Sequence, residues 1–137
     1  MGYRFNEGSL ELPEDWHDET MNIFKSSPSE GYNLVISRDR IPKAVDPQVF
    51  LSDQLQLIAE NLPMFVERER ASIELDGRAC TWLEYVWKAP DGMMNQINVL
   101  RVVGDMLVSF TLTSSKDFSD SQKALFRDTL ESYTGPE

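Results

Sequence analysis

Few side chains in this sequence could carry covalent or acid–base chemistry. His17 is the only histidine and Cys80 the only cysteine among 137 residues. His17, Ser37 and Asp39 supply the residue types of a nucleophilic triad, in which a base takes the hydroxyl proton and a carboxylate orients the base. No G-x-S-x-G elbow surrounds Ser37, which stands between Ile36 and Arg38. The paired carboxylates Glu14-Asp15 and Asp18-Glu19 read as a solvated loop rather than an acid/base couple. One histidine with one cysteine gives none of the usual metal-ligand spacings, and no glycine loop cradles a phosphate. Neither catalysis, nor a cofactor, nor a metal is expected.

The more informative residues are uncharged and suited to binding. Side chains alternate faces along a strand, so residue parity sorts them. Over 20–25 the odd set is Met21, Ile23 and Lys25; over 32–38 it is Asn33, Val35 and Ser37; over 94–103 the even set is Met94, Gln96, Asn98, Leu100 and Val102. Gln54 falls beside the apolar stripe of a helix. A solvated face is normally rich in Lys, Glu and Arg, and a sealed core avoids amides unless they are paired. Amides and hydroxyls set among Met, Ile, Leu and Val suit a surface covered only some of the time. The bland alternative is a half-buried sheet face that carries a few amides.

These residues need strands and helices to position them. Tyr3–Phe5 and Ser9–Leu12 flank a turn at Asn6-Glu7-Gly8, and Thr20–Lys25 and Tyr32–Arg38 follow, separated by the loop Ser26–Gly31. Asp46-Pro47 signals a helix start, and Leu51, Leu55, Ile58 and Leu62 form its stripe up to Pro63. Phe65–Leu75 and Arg78–Lys88 meet at Asp76-Gly77, a hairpin signal; Met94–Val103 and Met106–Ser114 come next. A second helix over 119–133 has capping-box spacing at Ser119 and Gln122, with Ala124, Leu125, Thr129, Leu130 and Tyr133 as its expected buried side. Arg78–Lys88 carries large apolar groups on both parities, which predicts a central strand. Trp16, Trp82, Tyr85 and Trp87 are expected in the core, and Glu67-Arg68-Glu69-Arg70 as a self-paired strand edge that discourages aggregation. The fold class is α+β, an antiparallel sheet packed with helices, in one domain over 1–137.

Composition narrows the partners. Thirteen basic against twenty-three acidic residues leave a formal charge of −10, the wrong sign for nucleic acid or anionic lipid. No window approaches the roughly 20 apolar residues that span a bilayer. A lone cysteine and an N-terminus without a signal-peptide core fit a cytoplasmic protein.

The ordered set Tyr3-Arg4-Phe5-Asn6-Glu7-Gly8-Ser9-Leu10-Glu11-Leu12-Pro13, Trp16, Met21-Asn22-Ile23-Phe24, Leu34-Val35-Ile36-Ser37-Arg38-Asp39, Gln54, Leu62-Pro63 and Gln96 resembles the Eag, or effector-associated, chaperones of bacterial type VI secretion, within the wider DcrB-like group. The resemblance implies a Mog1/PsbP-like fold with a curved sheet, assembled as a homodimer. It implies an effector client whose N-terminal transmembrane helices are bound and shielded before loading onto the secretion spike. It also implies client-binding roles for Met21, Ile23, Asn33, Ser37, Gln54 and Gln96, Asn33 standing where the family can carry a serine. Two other classes remain open: a Mog1-like regulatory module that binds a folded protein through a charged surface such as Arg38 and Arg40, and a carrier of small lipids.

Overall fold

Turn and capping signals resolve into eight strands and two helices among the described residues, 1–26 and 31–136 of a computed structural model. They are β1 (Gly2–Phe5), β2 (Gly8–Glu11), β3 (Asn22–Lys25), β4 (Tyr32–Arg40), α1 (Pro47–Asn61), β5 (Val66–Leu75), β6 (Arg78–Ala89), β7 (Gly92–Val103), β8 (Met106–Ser114) and α2 (Asp120–Glu131). Positions 27–30 of the expected loop Ser26–Gly31 lie outside the described residues. Asp76 and Gly77 both take positive φ, 49° and 78°, which matches the twist of the β5–β6 hairpin they close. Each further hairpin adds an antiparallel neighbour, and the six-stranded sheet runs β3-β4-β8-β7-β6-β5. Among the described residues β1 and β2 pair only with each other. The expected α+β class, an antiparallel sheet packed with helices, is borne out.

The two helices cover the two faces unequally. Ser119 Oγ accepts from the Gln122 N–H and Gln122 Oε1 accepts from the Ser119 N–H, closing the capping box that starts α2. Phe126 and Leu130 of α2 are buried against Ile73, Leu75, Trp82, Ile97, Val99, Phe110 and Leu112. Lys123 reaches beneath the helix to the buried carboxylate of Glu84 at 2.6 Å, and that hydrogen bond raises the lysine's pKa. On the opposite face, Asp46 Oδ1 accepts from the Gln48 N–H and starts α1. α1 buries none of its residues fully; Phe50, Leu51 and Leu55 rest on Ile41, Leu100, Val102 and Leu107 at one end of the sheet.

Several expectations need correction. α2 ends at Glu131 rather than 133 and is seated on Phe126 and Leu130, with Tyr133 packed just beyond its end, whereas Ala124, Leu125 and Thr129 are exposed, so the stripe is rotated from the expected one. β6 is not central but next to the edge strand β5. Its two-sided apolar pattern reports that both faces are covered there, Trp82 on the α2 side and Leu83 and Tyr85 on the other. Trp16 is 58% exposed rather than core. The edge at β5 is self-paired only in part: Arg70 pairs with Glu67 at 2.9 Å, whereas Arg68 pairs with Asp117 and Glu69 with Lys123, and a bulge between Glu67 and Glu69 twists the strand.

Candidate functional site

Strand register decides which side chains share the face that α1 only half covers. Asn33 lies opposite Thr113, Thr113 opposite Gln96, and Gln96 opposite Tyr85. The next row is Ile23, Val35, Thr111, Asn98 and Leu83, and the row beyond holds Ser37, Ser109 and Leu100. Neighbouring strands stand about 4.8 Å apart, so Asn33 and Gln96 lie two strands apart on one surface. The result is a band of hydroxyls and amides across β4, β8 and β7, bounded by apolar groups.

α1 stands over one side of this band and leaves a hollow of about 470 Å³, lined by Gln54, Leu57, Ile58, Tyr85, Trp87, Gln96, Asn98 and Thr111 among others. The polar groups on its floor are linked. Trp87 Nε1–H donates to Gln96 Oε1 at 2.9 Å, and Gln96 Nε2–H donates to Thr113 Oγ1 at 3.0 Å. Asn98 Nδ2–H donates to Ser109 Oγ at 3.0 Å and Thr111 Oγ1 at 2.9 Å. The Oδ1 atoms of Asn98 and Asn33 are buried without a partner among the described residues. A buried polar atom left unpaired costs ~1–3 kcal/mol, so the band is built at some expense to the fold. Burial pushes the Tyr85 phenol well above its ordinary value, so it stays neutral beside the hollow.

The structure brings some of the six expected residues together and separates others. Gln54 and Gln96 line the same hollow. Asn33 lines a neighbouring one with Lys25, Met94 and Thr113. Met21 and Ser37 line a third, of about 520 Å³. Ile23, 59% exposed, shares the sheet face with them from the edge strand β3. Met21 precedes β3 rather than belonging to it, in a segment held where Arg38 donates to the Thr20 carbonyl at 2.9 Å. His17, Ser37 and Asp39 also meet in the third hollow, yet no hydrogen bond joins them among the described residues.

Residue reading missed Thr111, Thr113 and Ser109. Their signal was present as the alternation Leu107, Ser109, Thr111, Thr113, which puts three hydroxyls on one side of β8. Trp87, expected in the core, is only half-buried, its indole N–H aimed along the band.

The DcrB family model matches residues 7–132. The Pseudomonas aeruginosa protein Effector EagT6 is similar to this chain, 32% identical over 116 residues, with 81% of each covered. Among solved structures, PA94 of Pseudomonas aeruginosa, a protein of unknown function, overlays with a TM-score of 0.70 at 25% identity, covering 100% of this chain and 97% of its own. Cyanobacterial PsbP from Synechocystis overlays at 0.49 with 14% identity, covering 90% and 96%. With a family model spanning nearly all of its strands and both helices, and a relative 32% identical over 81% of its length, the chain belongs to the DcrB family and its Eag relatives.

Proposed function

We propose that this chain is a type VI secretion chaperone, specific to one effector, which binds and shields the N-terminal transmembrane helices of that client before it is loaded onto the spike. The observation that carries the reading is the half-covered sheet face. Apolar side chains ring a linked band of amides and hydroxyls, and α1 leaves that band open. Similarity to Effector EagT6 supports an effector as the client. Each Leu-sized guest side chain withdrawn from water contributes ~1.5–3 kcal/mol, and polar lining spares the guest's own polar groups an unpaired state. Met21, Ile23, Asn33, Ser37, Gln54 and Gln96 are the client-binding residues of this reading.

The protein acts by holding rather than by catalysis, in the cytoplasm, as a homodimer. Exposed Phe5 and Leu10 on the isolated β1–β2 hairpin supply apolar surface that a second copy would cover.

Co-expression with an effector's helical N-terminal region tests the proposal. Ile23→Asp is expected to stay folded and lose the client. Full retention of the client by Ile23→Asp would remove the site assignment. The overlay with PA94, described as a regulator, keeps a second reading in view: a module that binds a folded protein through charge. On that reading, charge reversal at exposed Arg40, which pairs with Asp105 at 2.7 Å, abolishes binding and Ile23→Asp does not.

A further inference from the structure

An indole N–H can donate but not accept, and this gives direction to the hydrogen-bond chain that Trp87 starts. Since Gln96 Oε1 must face Trp87, Gln96 Nε2 faces the other way and donates to Thr113 Oγ1. Thr113 is thereby an acceptor toward β7, and its own O–H proton has no partner among the described residues. Asn33 is its register neighbour on β4, but Asn33 Oδ1 is unpaired, so the proton is not spent there. Along the adjacent row, Asn98 donates to both Ser109 and Thr111, whose hydroxyl oxygens lie 3.4 Å apart. Either hydroxyl can donate across that gap; with Ser109 as the donor, the Thr111 O–H proton is left over. Thr111 faces the hollow beside Gln54 and Ile58, and Thr113 faces the one beside Asn33 and Met94.

Resting on the helix-holding reading above, we infer that Thr111 and Thr113 are a donor strip that grips the main-chain carbonyl oxygens of the guest helix. A helix spends each interior N–H on its own carbonyl four residues back, yet every carbonyl oxygen keeps a second lone pair. Donors therefore find an acceptor on any helix, whatever its side chains. Hydroxyls two residues apart on a strand are about 6.7 Å apart, longer than the helical pitch of about 5.4 Å, so the pair addresses carbonyls in successive turns of a helix that crosses β8 obliquely. The apolar surround supplies affinity without sequence, and the strip supplies a polar grip without sequence. Gln96 and Asn98 are positioning residues here: they occupy the hydroxyl lone pairs and turn the protons outward.

The probe is a synthetic peptide of about 20 alternating Leu and Ala residues with Lys flanks, made as a set with one isotopically heavy carbonyl moved through one turn. It has no hydrogen-bonding side chain in its apolar stretch. On the wild-type chain the peptide binds, and the infrared band of at least one labelled carbonyl moves to lower frequency as it accepts a second bond. Thr111→Val with Thr113→Val keeps side-chain shape and strand propensity but removes acceptors of Gln96 and Asn98, so an earlier urea midpoint is expected; in the folded variant binding weakens roughly 5- to 100-fold and the band shift is abolished. Thr111→Ser with Thr113→Ser retains both. Unchanged affinity and an unchanged shift in the double valine variant overturn the donor strip and leave the holding reading intact. Failure of the wild type to bind either this peptide or an effector's own helices overturns both.

Discussion

Gln96 spends both ends of its amide inside the protein, one on Trp87 and one on Thr113. A residue so placed cannot be removed for the sake of binding alone. Gln96→Ala strands the Trp87 indole N–H and is expected to lower stability by ~1–3 kcal/mol, seen as an earlier urea midpoint, while client capture falls. Ile23→Asp is the cleaner probe, because Ile23 is 59% exposed and changes at such positions usually stay within ~0.5 kcal/mol. An Ile23→Asp variant that melted well below the wild type would show that Ile23 holds the fold instead. Both residues were legible as members of mixed apolar and polar sets. The partner that locks Gln96 was not, because Trp87 sits nine residues earlier and meets it only through the β6–β7 pairing.

Sequence named both helices and their N-caps correctly, since an N-cap is a local event between residues two or three apart. It set Ala124, Leu125 and Thr129 on the buried side of α2, where Phe126 sits instead, although Leu130 and Tyr133 are seated as expected. Leu125 and Phe126 are both large apolar residues, and only docking of the helix against Trp82 and its neighbours on the sheet chooses between them. Phe126→Ala is expected to cost ~3–5 kcal/mol and Leu125→Ala less than about 1 kcal/mol in chemical denaturation; equal losses would contradict the seating described. The helices should also differ in mobility. α1 has no fully buried residue and α2 has two, so α1 amides are expected to exchange with deuterium well before those of α2. Client binding should then protect α1, the lid of the hollow.

At the scale of the molecule, three groups answer to alkaline pH in the same sense. Burial raises the Cys80 thiol and the Tyr85 phenol, and the hydrogen bond to Glu84 raises Lys123, above ordinary values of 9.0, 10.0 and 10.5. A group whose pKa is higher folded than unfolded keeps its proton longer in the native state, so its stabilisation is full below the unfolded value and is lost as pH rises beyond it. Stability is therefore expected to fall from about pH 9 upward, and Tyr85→Phe should flatten part of the decline. A denaturant midpoint constant from pH 8 to about pH 11 would refute this. Sequence by itself determined the elements, the N-caps, the hairpin turn and the acidic character, because each depends on neighbours along the chain or on composition alone. Tertiary structure decided which strands flank which, which helix face is seated, and that hydroxyls of β8 and amides of β7 form one directed band. Those facts depend on residues brought together across strands, and alternation within a single strand cannot say what its neighbour across the sheet will be.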